Sequence, residues 1–162
     1  MTVAQIMEKM IGFSEGNLHD IGHLMRVWAY AKTIGELEGL DPETQYILEA
    51  AAVIHDIACP LCRKKYGDAP GKLQEKESSP LVQAFLSGTG MTEAQTARID
   101  WLVSHHHTYM DIDGPDYQIL VEADYLVNAA DNGYSRENIL NFSEKVMRTE
   151  SGKRLLKTVF RC

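Results

Sequence analysis

The six histidines of this chain fall in three places: His19 and His23; His55; and His105, His106 and His107. Read on a helical period, His23 shares a face with Val27, Tyr30 and Ile34, and His55 shares one with Ile47, Leu48, Ala51 and Ile54. Asp124 falls on the face of Leu120, Val127 and Asp131, and Asp56 lies about 100° round the helix end from His55. Three helices therefore turn an imidazole or a carboxylate toward their apolar sides. A buried carboxylate without a partner costs several kcal/mol. Two carboxylates and two imidazoles can share a core if a divalent cation joins them, or if each is satisfied by its own hydrogen bond. The second is the commoner fate of a lone core histidine; the joint pattern favours the cation.

Next to the His55-Asp56 pair runs Arg63-Lys64-Lys65, followed by Lys72 and Lys76, five cations within 14 residues. This segment reads either as a solvated loop or as an electrostatic clamp for phosphate. Arg26, one turn after His23, could reach the same cleft, and Lys64, Lys72 and Lys76 are further candidates. Cys59-Pro60-Leu61-Cys62 is a lone CxxC. A redox role would need a βαβ setting and structural zinc would need two more ligands, so the reading is structural. His19 falls at a helix start, as a surface or supporting group. The three adjacent histidines read either as a polar helix end, where an imidazolium suits the carbonyl terminus, or as functional groups.

The elements that must position these groups are helical throughout. Val3, Ile6, Met7, Met10 and Ile11 mark a first helix, and a second runs from about Asp20 to Glu38 with Gly39 as its stop. Asp41-Pro42 opens a third. Ser79-Pro80 opens a short helix ending near Gly88, and Thr92-Glu93-Ala94-Gln95 forms a capping box for one reaching about His106. Asp116 caps a helix through about Asp131, and Ser135 and Thr149 cap two last ones. No segment alternates as a strand. The expectation is an all-α single domain over 1–162, with seven or eight helices. Segments 58–78 and 107–115 are left as long loops, where function tends to concentrate.

The chain has 162 residues and a net charge of -7. Such an acidic surface disfavours polymeric nucleic acid and anionic lipid, so a phosphorylated partner should be a small molecule met by local cations. No apolar run approaches the ~20 residues of a membrane span. The start, MTVAQIMEKM, lacks the pattern of a signal peptide. Three cysteines, an odd and sparse set, point to a reducing compartment, most simply the cytoplasm. A homo-oligomer is left open.

The order His23, His55-Asp56, Asp124 resembles the HD superfamily of metal-dependent phosphohydrolases. His23-Leu24-Met25-Arg26-Val27 is similar to its H-x-x-R-V opening, and Ala52-Val53-Ile54-His55-Asp56-Ile57 to its apolar-H-D core. Glu122-Ala123-Asp124 is similar to its last ligand helix. The resemblance covers about 19–131, with the C-terminal helices (135–160) outside it. It implies a helical bundle in which His23, His55, Asp56 and Asp124 bind one divalent cation. That mixed nitrogen and oxygen set leaves Fe, Mn, Zn, Ni or Co open. Some HD proteins hold a second ion on histidines between the H-D pair and the last Asp, a role open to His105 and His106. Several HD nucleotidases carry a Glu three residues after the Asp; Cys59 stands there in this chain.

The expected activity is hydrolysis of a small phosphate ester or nucleotide. The cation would polarise a phosphoryl oxygen and lower the pKa of a water toward ~7. Asp56 would orient that water, and His105 or His106 would stabilise charge or protonate the leaving oxygen. Two alternatives stand beside it: a di-iron oxygenase on the same scaffold, and a catalytically silent, metal-stabilised binding module.

Overall fold

The computed structural model describes residues 1–162, and its regular structure is entirely helical. Nine helices follow in order: α1 (Val3–Phe13), α2 (Leu18–Glu38), α3 (Pro42–Ile54), α4 (Cys59–Tyr66), α5 (Gly71–Leu86), α6 (Glu93–Val103), α7 (Pro115–Asp131), α8 (Arg136–Lys145) and α9 (Glu150–Phe160).

The helix starts are written in the side chains. Thr2 and Thr92 each accept from the backbone three residues on, while Gln5 and Gln95 reach back to close capping boxes. Asn17 caps α2, Asp41 accepts from the amides of both Glu43 and Thr44, and Ser135 and Thr149 cap α8 and α9. Gly39 ends α2 at φ 73°, a left-handed conformation that costs glycine little.

Two elements differ from the sequence expectation. The segment expected to be a loop, 58–78, contains α4, and α5 begins at Gly71 rather than near Ser79. α4 begins with Cys59-Pro60, carries Arg63, Lys64 and Lys65 in its last turn, and stops at Gly67 with φ 81°. In α5, Pro80 sits inside the helix on an exposed position, where a carbonyl freed by the missing N–H can turn to water. At the other ends, α6 stops at Val103, short of the histidines, and α7 starts at Pro115 with Gly114 as its cap.

α2, α3 and α7 pack against one another at the centre. Along α7, thirteen residues including Tyr117, Ile119, Leu120 and Leu126 are buried, as expected for a helix enclosed on all sides. In α3 the run Ala50–Ile54 is fully buried, and its three alanines allow close helix approach. The hydrophobic core joins these helices to Ile6 and Met10 of α1, Val82 of α5, Ile99 and Leu102 of α6, and Leu156 of α9. Two buried carboxylates brace the periphery. Glu49 accepts from Trp28 and Gln45 (2.9 Å each). Glu122 accepts from Gln118 and from the amides of Arg148 and Thr149 at 2.7–3.0 Å.

Candidate metal centre

Each central helix delivers one part of the cluster. His23 comes from α2, Asp124 from α7, and His55 with Asp56 from the C-terminal end of α3 and the turn after it. The Nε2 atom of His23 lies 3.1 Å from Nε2 of His55, 3.2 Å from Oδ1 of Asp124 and 3.4 Å from Oδ2 of Asp56. Nε2 of His55 lies 3.4 Å from Asp124 and 3.6 Å from Asp56. Donors held about 2.1 Å from one ion at angles of 90–110° stand roughly 3.0–3.4 Å apart. The separations observed match that spacing closely.

The histidines are preset for ligation. His55 Nδ1 faces the carbonyl of Ala52 at 2.8 Å, and His106 Nδ1 faces that of Val103 at 2.8 Å. A carbonyl only accepts, so Nδ1 carries the hydrogen and Nε2 is the atom offered to the cluster. In His106 that Nε2 is buried and without any hydrogen-bond partner, 3.7 Å from Oδ1 of Asp56. Asp56 therefore turns one oxygen to His23 and His55 and the other toward His106. A buried lone pair with no donor near it is costly, and an ion between His106 and Asp56 would remove that cost.

Charge supports the same assignment. Burial disfavours ionised His55, but Asp56 and Asp124 outweigh it and raise its pKa to about 9. Burial also opposes ionisation of Asp56 and Asp124, yet the facing imidazoles hold both below the usual carboxylate range. Without an ion, the two carboxylates are balanced by protonated imidazole; a divalent cation fits the same balance. Three overlapping groups could hold one: His23, His55 and Asp124; His55, Asp56 and His106; and His106, His107 and Asp124.

The triple histidine resolves into three different roles. His105 was expected as a catalytic group or second-ion ligand alongside His106, and the structure does not bring it to the cluster. Its ring stacks on Trp101 at 3.7 Å, and its Nδ1 donates to the Trp101 carbonyl at 2.7 Å. His106 points inward. His107, for which the sequence offers no helical face, joins the group with His106 and Asp124. Its Nε2 donates to Gln74 Oε1 at 3.2 Å. Burial, and then the neighbouring His106, lower its pKa to about 4, so it is neutral at pH 7. Gly71 makes room for this ring, because a Cβ there would stand 2.6 Å from His107 Cγ.

The expected phosphate clamp is largely paired already. Arg26 makes two bonds to Asp131, at 2.6 and 2.8 Å. Lys72 bonds Glu75 and Thr108 at 3.0 Å each, Lys65 bonds Glu77, and Arg63 bonds Asp20. Lys64 and Lys76 are exposed. Asp131 also lies 3.8 Å from Nδ1 of His23. It was legible only as a face-sharing residue of Asp124; its pairing with Arg26 was not. Cys59 and Cys62 are free and buried, and burial followed by the charge of Asp56 pushes the Cys59 thiol up, which favours its protonated form.

No helix is long and apolar enough to cross a membrane. No curated protein matches the chain. The family model described as HD domain matches residues 20–132, a span that starts three residues before His23 and ends eight after Asp124. With well over half of its length matched, and with the H, HD and D positions gathered on three packed helices, the chain belongs to the HD domain family.

Proposed function

We propose that the protein is a metal-dependent phosphohydrolase acting on a small phosphate ester or nucleotide. The observation that carries this reading is the gathering of four side chains about two imidazoles: the Nε2 atoms of His23 and His55 lie 3.1 Å apart, and each lies 3.2–3.6 Å from carboxylate oxygens of Asp56 and Asp124. A divalent cation held there supplies Lewis-acid polarisation of a phosphoryl oxygen and a more acidic water.

The chain's own residues do the rest. His23, His55 and Asp124 are the buried anchors. Asp56, with 27% of its side chain exposed, is the member open to a substrate and to the proton of an attacking water. His106, through its unpartnered Nε2, and His107 serve a second ion. Arg26 and Lys72 can exchange Asp131 and Glu75 for phosphate oxygens, while Lys64 and Lys76 add long-range attraction.

The test is a panel of mono-, di- and triphosphates offered to protein loaded with Mn, Co, Fe, Zn or Ni. Turnover that disappears in a folded Asp56→Ala variant supports the reading. A silent panel with every metal overturns it.

The unpartnered Nε2 of His106 also favours a second reading, a di-iron oxygenase, since it provides for two ions. Elemental analysis separates them. Two irons per chain with oxygen consumption would favour the oxygenase, and a single ion would reject it.

A further inference from the structure

A cavity lined by Tyr109 and Tyr125, which lie two residues after His107 and one after Asp124 in the chain, is left unused by hydrolysis of phosphate alone. It measures about 330 Å³ and sits between the 107–115 loop, α7 and α8. That is the lower end of the ~300–1,000 Å³ typical of small-molecule sites. Its walls are aromatic. The rings of Tyr125 and Phe142 stack 3.5 Å apart and within 2° of parallel. Tyr109 stands edge-on to Phe142 at 5.6 Å and 86°, and Tyr134 lies 5.7 Å from Tyr125. Tyr109 and Tyr134 remain 45% and 38% exposed, so two large ring surfaces face water inside a concave site. The outer wall is lightly held, because α8 buries only Ile139 and Phe142.

The chemistry of the walls selects a guest. Flat ring faces suit a planar ring. Asn138 Oδ1 already accepts from the Tyr125 hydroxyl at 2.6 Å, which leaves its amide N–H groups free to donate, and Asn141 beside it offers both donor and acceptor. Lys145 lines the same cavity with no carboxylate against it. Aromatic boxes also take quaternary ammonium groups, but a lysine in the wall repels a cation. It favours carbonyl oxygens, ring nitrogens and phosphate. A nucleobase is a planar ring of this kind, with a hydrogen-bonding edge and no positive charge.

Tyr109 connects the two sites. It follows His107 by two residues and lines the cavity together with Tyr125, the residue after Asp124.

We propose that this cavity holds the base of a nucleoside phosphate, with Tyr109 and Tyr134 as stacking surfaces and Lys145 as the cation facing its acceptors. The inference rests on the phosphohydrolase reading for where the phosphate goes. Its test does not need turnover.

Adenosine, guanosine, cytidine and uridine, which carry no phosphate, are titrated by calorimetry into the wild type and into Tyr134→Ala and Tyr109→Ala. The expected result is binding of at least one nucleoside with a Kd below about 1 mM, weakened about tenfold or more in each variant with melting temperature unchanged. Binding without hydrolysis of any phosphate would uphold the base site while removing the phosphohydrolase. No nucleoside bound by the wild type, whatever phosphate it hydrolyses, or binding equal in wild type and both variants, would overturn the base site.

Discussion

His106 points its unpartnered Nε2 at Asp56 Oδ1 across 3.7 Å, whereas its neighbour His105 lies flat on Trp101. Adjacent residues of the same type thus face opposite environments, and they should respond differently to the same substitution. His106→Ala is expected to weaken metal at its position by about 10- to 100-fold and to reduce turnover in parallel. His105→Ala should leave both within about twofold and cost only ~0.5–1.5 kcal/mol of ring stacking. Metal content measured beside kcat decides it; equal losses in the two variants would contradict the assignment.

Asp124 touches both imidazoles of the centre, so removing its charge should uncouple metal from stability. A ligand at 100 times its Kd contributes about 2.7 kcal/mol. For a chain of this size that raises Tm by roughly 5–10 °C. Wild type should show such a rise on adding Mn or Co, and Asp124→Asn should not. A comparable rise in the variant would place the ion elsewhere.

Gly71→Ala tests the space given to His107. In an ordinary helix the exchange stabilises by about 0.5–1 kcal/mol. Here the added methyl meets the imidazole, so His107 must shift. The expectation is reduced metal affinity on the His106–His107 side with the fold intact, read by metal titration with circular dichroism as control.

Glu122 is fully buried and takes hydrogen bonds from Gln118, Thr149 and two backbone amides. Glu122→Ala strands those donors at the α8–α9 junction. A loss of about 2–4 kcal/mol is expected in urea unfolding, far more than for a surface carboxylate.

The acid limb of stability has identifiable sources. The Ser151 hydroxyl and amide lower the pKa of Glu38, tying α2 to α9. Burial raises that of Glu75, but Lys72 and Thr108 outweigh it and leave it lowered. A carboxyl lowered on folding contributes stability above its unfolded pKa of ~4.3, lost as pH falls through the folded value. Melting temperature should therefore hold through neutral pH and drop below about pH 4, with a shallower drop in Glu38→Gln.

The convergence of His23, His55, Asp56 and Asp124 was readable because each belongs to or adjoins a helix whose apolar period gives its direction. The periodicity argument stops where the helix stops. α6 ends at Val103, so no 100° rule could sort His105, His106 and His107, and the turn geometry chose the last two. α4 was missed although Pro60, three basic residues and Gly67 mark its ends, because its interior lacks an apolar stripe. Pro80 misled in the opposite direction, since a proline at a solvent-facing position does not have to begin a helix. The pairing of Arg26 with Asp131 joins residues 105 apart and has no local signal.

The loop after the histidines is fastened at both ends. On one side the Tyr117 hydroxyl donates to the carbonyls of His105 and Thr108, at 2.7 and 2.6 Å. On the other Arg98 grips Asp113 and Asp116 through four bonds of 2.7–2.9 Å. Between these fastenings Tyr109, Met110, Asp111 and Ile112 make no hydrogen bond; Ile112 packs against the core, and Met110 is 75% exposed. The three exposed positions, Tyr109, Met110 and Asp111, form an exchangeable cassette. Side chains there can be rewritten to admit a different guest while the scaffold underneath stays as it is.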